Sequence, residues 1–327
     1  MNILITGSLS HLGINFINLF HKNYNKLILI DRISYCSNDL TNDIFNKDNI
    51  INIYNDINDV NIEELLNFYK IDIILHCAAS THIDRSYIKF DEFINDNIIA
   101  TTKLLNSVKS YRKLKKFIHI STDEIYGGSD TKVFNEQSVF NPTNPYAGSK
   151  AAIEMIINSY IYTYKLPIII IRPNNLFGKY QYSEKVIPKF IKSIINNKSV
   201  TIHGSGNQVR DFIFVEDVCK ALQYIILNVQ PINKNSKSEI IISDYIYNIG
   251  IHNPININTL AYKIFNYLKE RNLTKLTKDN YCDYVKDRPY NDKRYILETS
   301  KLTEIGFNIQ NNWDKNLSET INWCVNN

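Results

Sequence analysis

NILITGSLSHLG, residues Asn2 to Gly13, runs an apolar strand into a glycine turn and out into a helix. Gly7 and Gly13 hold the outer positions of a G-x-x-G-x-x-G spacing, with Ser10 in the middle and His11 and Leu12 completing the turn. Glycines here let the main chain approach a ligand closely, and the N-terminus of the next helix offers unpaired N–H groups to a pyrophosphate. Taken alone, the spacing also describes a structural turn with no ligand.

The surroundings extend this unit. Strands are predicted at Asn2–Thr6, Lys26–Asp31, Ile50–Tyr54, Ile73–Cys77, Lys116–Ser121 and Pro167–Arg172. Helices are predicted between them at Leu12–Lys22, Ile62–Tyr69, Phe90–Tyr111 and Tyr146–Tyr164. Strands alternating with helices of this length imply right-handed β-α-β units, hence an α/β fold with a doubly wound parallel sheet. The strands are apolar on both faces, as in Leu27–Ile30 and Ile168–Ile171, which fits a sheet covered by helices on each side.

Asp31 ends the second strand, where a carboxylate can accept both hydroxyls of a ribose and would repel a 2′-phosphate. That favours NAD over NADP, with the adjacent Arg32 as the one group favouring the phosphate. Asp56 and Ile57, beyond the third strand, are placed to meet the adenine, and Ala78 and Ala79, beyond the fourth, to line the same site.

After Arg172 the alternation is lost. A helix is expected at Pro188–Asn196, a turn at Gly204–Asn207, a helix at Glu216–Leu227, a surface loop at Gln230–Asp244 and a strand at Ile246–Ile249. The expected division places residues 1–176 and 212–250 in a cofactor domain. Residues 177–211 and 251–327 then form a smaller α/β C-terminal substrate lobe. No internal repeat is found.

Length and composition narrow the classes. The 327 residues are 44% hydrophobic and 21% charged, which argues against disorder and against a membrane protein. A net charge of +4, with no basic block, gives no footprint for nucleic acid. The five cysteines show no C-x-x-C or Cys/His spacing, so neither zinc nor a disulfide framework is expected. No leader and no spanning apolar run are read, and a cytoplasmic protein is expected.

Two further constellations carry chemistry. Tyr146 and Lys150, four apart in NPYAGSK, share one face of a helix. A tyrosine of pKa about 10 is a poor base, and a neighbouring ammonium is expected to favour its phenolate. Thr122-Asp123-Glu124 follows the fifth strand at the carboxyl edge of the sheet, where ligands bind in this architecture. Adjacent carboxylates on a loop are usually solvated. Facing the Tyr/Lys pair, they supply a proton donor and an acceptor for separate atoms of one substrate.

At these residues the chain resembles the extended short-chain dehydrogenase/reductase family, and within it the dTDP-glucose and UDP-glucose 4,6-dehydratases. The resemblance runs through LHCAASTHIDRS (Leu75–Ser86), STDEIYG (Ser121–Gly127), NPTNPYAGSK (Asn141–Lys150) and RPNNLFGKYQYSEKVIPKF (Arg172–Phe190). It continues in HGSGNQVRDFIFVEDV (His203–Val218), YNIGIHN (Tyr247–Asn253) and DRPYNDKRY (Asp287–Tyr295).

It implies a Rossmann domain holding a recycled NAD. It implies Thr122 at the sugar C4 oxygen, Asp123 as general acid, Glu124 as general base, and Tyr146 with Lys150 at the C4 hydroxyl. Asn175, Glu184, Lys185 and Asn248 match residues around the sugar nucleotide, and Arg210 and Arg288 match arginines that hold its diphosphate. Ser10 replaces a usual glycine, Ser80-Thr81 a usual Glu-Ser, and Tyr290-Asn291 a usual Gly-His. Ser80 and Thr81, expected near C2, would leave room for an acetamido group.

The reaction so implied makes a 4-keto-6-deoxy nucleotide sugar, a lyase step of deoxysugar biosynthesis. The resemblance also implies a homodimer through the helices Phe90–Tyr111 and Tyr146–Tyr164. A 4-epimerase on the same fold needs no Asp-Glu pair, and a non-catalytic NAD-binding protein would need neither that pair nor Tyr146 and Lys150.

Overall fold

The computed structural model describes residues 1–39, 43–232, 239–288, 290 and 292–327. Seven parallel strands form the main sheet: β1 (Asn2–Thr6), β2 (Lys26–Asp31), β3 (Ile50–Tyr54), β4 (Ile73–His76), β5 (Lys116–Ile120), β6 (Ile168–Pro173) and β7 (Ile246–Ile249). Their order is β7-β6-β5-β4-β1-β2-β3. The winding reverses between β1 and β4, and a crevice opens there at the carboxyl ends of the strands.

Alternate residues of each strand feed the two faces. Ile3, Ile5, Leu27, Leu29, Leu75, Ile118 and Ile169 pack under the helices His11–Phe20 and Val215–Asn228. Leu4, Ile28, Ile30, Ile74, Phe117, Ile168 and Ile170 pack under Ile62–Phe68, Ala100–Ser110 and Pro145–Tyr164. Burial on both faces is why these strands read as unbroken apolar runs.

A third core gathers Phe177, Ile187, Phe190, Ile202, Phe212, Ile264, Phe265 and Trp313. It lies beneath a sheet in which Val209–Phe214 pairs with Asn175–Phe177 and Pro254–Asn256. Not all of the chain after residue 251 joins this core. Leu302, with Ile305, Phe307 and Ile309, packs into the core of the main sheet.

Two expected elements come out differently. The helix expected over Phe90–Tyr111 is α-helical at Phe90–Phe93 and Ala100–Ser110 but π-helical across Ile94–Ile99. Of the loop expected at Gln230–Asp244, residues 233–238 lie outside the described residues. Ile232 and Ile240 on either side of them are buried against the main sheet. Asn291, in the expected Tyr290-Asn291 departure, also lies outside the described residues. No helix among the described residues is long and apolar enough to cross a membrane.

Candidate active site

A cavity of about 660 Å³ opens at the winding reversal. At one end its wall is main chain. Gly7 has φ +69°, and a Cβ there would stand 2.5 Å from the Ala78 nitrogen. A Cβ on Gly13 would stand 2.3 Å from the Gly7 carbonyl, so Gly13 serves the packing of helix on turn and does not line the cavity. Ser10 is the helix N-cap: its hydroxyl accepts from Gly13 N–H at 3.2 Å and donates to the Gly7 carbonyl at 2.6 Å. A serine therefore closes this turn where glycine was the expected residue.

The same end has the donors and acceptors that a dinucleotide needs. Asp31 accepts from Leu9 N–H at 2.8 Å, which aims its carboxylate along the cavity; burial raises it to about 6. His11 is half-buried, its ring held neutral by desolvation and by the charge of Lys185, and its Nε2 has no hydrogen-bond partner among the described residues. Leu12, Ile57, Ala78 and Ala79 complete the wall. A close-approach glycine, a ribose-type carboxylate and an unpartnered polar atom fit NAD. Arg32 does not turn toward a 2′-phosphate, because it pairs with Asp56 at 3.0 Å and with Asp96. Asp56 lines the cavity where the adenine was expected, and its oxygens also receive Asn58 N–H at 2.8 Å and Arg32 at 3.0 Å.

At the other end the wall is side chain. Thr122 caps the short turn Asp123–Tyr126, so both carboxylates leave β5 into the cavity. Asp123 accepts from Asn174 at 2.8 Å and from the Thr122 hydroxyl at 3.3 Å. Burial, and next among the causes that raise it the charge of Glu124, bring Asp123 to about 7. Glu124 is raised by burial and opposed by a hydrogen bond from Asn144 at 2.9 Å and by the charges of Arg210 and Lys185. One carboxyl is thus poised near neutrality and the other is held as an acceptor.

Tyr146 and Lys150 project from the helix Pro145–Tyr164, capped by Asn144 with proline in its first turn. Lys150 was expected to lower Tyr146, and no such lowering is seen. The Tyr146 hydroxyl is pushed well up, by burial first and then by Glu124; the Thr122 hydroxyl alone opposes this, and Lys150 is not among the causes. Lys150 donates to the Ile120 carbonyl at 2.8 Å and is lowered to about 8 by burial.

Beneath them runs a buried chain. Glu154 accepts from the Ser121 hydroxyl and pairs with Arg172 at 2.6 Å; Arg172 donates to the Tyr126 oxygen at 2.6 Å, and Tyr126 donates to Asn248 at 2.9 Å. Removing one partner of such a buried pair costs about 3–5 kcal/mol. Asn248 also donates to the carbonyls of Phe134 and Glu298 and is fully buried. It does not line the cavity where the sugar was expected, and it braces the turn Asp123–Tyr126 from below.

Asn175, Glu184, Lys185, Ser80 and Thr81 line the cavity. Lys185 donates to the Thr81 carbonyl at 2.8 Å, and Glu184 faces His82 at 3.8 Å. Arg210 and Arg288 do not line it. Arg210 donates to the carbonyls of Val209 and Asp292, each at 2.8 Å, and Arg288 pairs with Asp84 at 2.8 Å. Ser80 is engaged away from the sugar end: its hydroxyl donates to Asp96 at 2.5 Å, and its main chain is bracketed by Asn97.

Sequence reasoning missed Asn144 and Asn174, which hold the two carboxylates. Both stand beside noted residues, in NPY and in RPNN, but no local signal marks their partners.

A family model described as "NAD dependent epimerase/dehydratase family" matches residues 3–250. A human dTDP-D-glucose 4,6-dehydratase is 38% identical over 326 residues, spanning 98% of this chain and 89% of its own. A dTDP-glucose 4,6-dehydratase from Streptomyces venezuelae, crystallised with NAD bound, superposes with a TM-score of 0.88 at 26% identity, covering 100% of this chain and 98% of its own. A UDP-N-acetylglucosamine 4-epimerase from Methanobrevibacter ruminantium superposes with a TM-score of 0.83 at 28% identity, covering 99% and 98%.

Proposed function

The chain belongs to the NAD dependent epimerase/dehydratase family and is an NAD-dependent nucleotide-sugar 4,6-dehydratase, and we propose that its substrate is dTDP-glucose. The observation that carries the reaction type is the pair of buried carboxylates beside Tyr146, one near neutrality and one held as an acceptor. An epimerase moves only the C4 hydrogen and has no use for such a pair.

NAD, if bound, would supply the hydride acceptor for C4, the donor for C6 and, when oxidised, a positive charge near Tyr146. Tyr146 accepts the C4 hydroxyl proton, with Thr122 holding the C4 oxygen. Ketone formation acidifies the C5 proton, which Glu124 removes while Asp123 protonates the departing C6 hydroxyl. C5 is then reprotonated, leaving the 4-keto-6-deoxy sugar. Gly7, Ser10, His11 and Asp31 hold the dinucleotide. Asn175, Glu184 and Lys185 serve the sugar nucleotide, with Arg210 and Arg288 reaching its diphosphate by giving up their present partners.

The division proposed is a cofactor unit of residues 1–176 with 212–250, and a sugar-nucleotide unit of 177–211 with 251–327. A cytosolic homodimer is also proposed. Phe93, Leu104, Leu105, Ile153, Ile157 and Ile161 are buried within the single chain and lend it no support. The support is the exposed apolar side chains of Ile99 in the helical stretch 90–110 and of Met155 and Tyr162, seven residues apart on one face of the helix Pro145–Tyr164.

The test is incubation with dTDP-glucose, UDP-glucose and UDP-N-acetylglucosamine, with products identified by NMR. A 4-keto-6-deoxy product from dTDP-glucose is expected, and a C4 epimer formed without loss of water would overturn the reading.

A further inference from the structure

Asn144 does two things with one amide. Its Oδ1 accepts from Ala147 N–H at 2.9 Å, capping the helix Pro145–Tyr164, and its Nδ2 donates to Glu124 Oε2 at 2.9 Å. The orientation is not free. Ala147 N–H is a donor, so the atom facing it must be the oxygen, and the other end must be the NH₂. Glu124 Oε2 is therefore required to be an acceptor. Asn144 and Glu124 are both buried.

Capping alone does not choose this residue, since asparagine, aspartate and serine cap about equally well. Only a side chain with an acceptor at one end and a donor at the other satisfies both contacts at this reach. Tyr146 stands two residues further along the same helix, so the amide joins the phenol and the carboxylate into one rigid unit.

We propose that Asn144 is the positioning residue of the elimination step, holding Glu124 as an oriented carboxylate in register with Tyr146. This rests on Glu124 being the base that removes the C5 proton. The other charged groups acting on Glu124 are Arg210 and Lys185, which favour the carboxylate, and Asp292, which disfavours it; Asp123 adjoins it in the chain. Loss of the amide donor removes a hydrogen bond made to the charged form, so Glu124 holds its proton to higher pH.

The variants are Asn144→Asp, which keeps the cap and sets an acceptor against Glu124, and Asn144→Ser, which keeps the cap and shortens the reach. The wild-type holoenzyme is first shown by NMR to make the 4-keto-6-deoxy product; if it does not, the assignment of Glu124 fails before Asn144 is tested. For Asn144→Asp, Tm should stay within a few degrees and kcat should fall at least about tenfold, as like charges sharing a site require. KM should hold within about threefold. The acidic limb of kcat/KM should move up by about one pH unit, and reduced cofactor should accumulate in a single turnover, because oxidation at C4 then outruns removal of the C5 proton. Asn144→Ser should lie between the two with an unchanged Tm. An acidic limb left in place with no accumulation of reduced cofactor overturns the proposal, and so does activity lost only in step with Tm.

Discussion

One end of the cavity is built from main chain and the other from side chains, and the two ends differ in what can disturb them. At the dinucleotide end, Gly7, the capped helix and Leu9 N–H fix the ligand's surroundings through atoms that every residue has. Gly7 must lack a side chain, and Asp31, Ser10 and His11 are the few polar side chains assigned to the dinucleotide there. At the sugar end, Asp123, Glu124 and Tyr146 are each held by another side chain or by burial, and each must carry a particular charge. The first end tolerates a serine for a glycine because Ser10 makes the same turn by capping it. The second end should tolerate almost nothing, because its parts act through protonation.

The largest effect is expected at the side-chain end. Glu124→Gln keeps the size and loses the base, and kcat should fall by about 10²–10⁴, the usual contribution of general base catalysis. Oxidation at C4 should survive, so reduced cofactor builds up in a single turnover while no 4-keto-6-deoxy sugar forms. Normal product from this variant would remove Glu124 from the elimination.

Next comes the main-chain end. Gly7→Ala places a methyl 2.5 Å from main-chain nitrogen in a left-handed conformation. If strain of about 1–3 kcal/mol falls on the NAD-bound form, binding should weaken roughly fivefold to 150-fold. Titration of cofactor-free protein with NAD measures this. With NAD saturating, the pH profile should be that of the wild type; a profile that moves would mean that the two ends are not separable.

A smaller and graded effect follows from Asp123, which is at about 7. A general acid must hold its proton, so kcat should fall as pH rises through about 7, approaching tenfold per unit. Asn174 donates to the charged form of Asp123, so Asn174→Ala should raise that pKa and shift the basic limb upward. Asp123→Asn should abolish the limb. A basic limb common to all three proteins would belong to another group.

The same division explains what was legible. The seven main-sheet strands, the glycine turn, Asp31 and the Tyr146/Lys150 spacing are local patterns, each contained in a few consecutive residues. Thr122-Asp123-Glu124 was legible as a motif and by resemblance. What holds those carboxylates was not, because Asn144 lies 20 residues from Glu124, and Asn174 lies 51 from Asp123. Asn248 was assigned to the sugar although it meets Tyr126 across 122 residues. The π-helical stretch Ile94–Ile99 leaves no mark in apolar periodicity, yet it sets both Asp96 and Asn97 against Ser80.

The smallest effect is expected at Ser80, and it tests where one end of the cavity stops. Read from the sequence, Ser80 belonged to the sugar end and made room at C2. In the fold its hydroxyl meets Asp96, Asp96 meets Arg32, and Arg32 meets Asp56, a line that runs along the dinucleotide end. Ser80→Ala removes one hydrogen bond to Asp96, a loss of about 0.5–1.5 kcal/mol. NAD should therefore bind a few-fold more weakly, roughly two- to tenfold by that figure. The ratio of kcat/KM for UDP-glucose to that for UDP-N-acetylglucosamine should change less than about threefold, below the 1–3 kcal/mol that a group in the sugar pocket commands. A tenfold change in that ratio with NAD affinity intact would return Ser80 to the sugar wall and move the boundary between the two ends past the fourth strand.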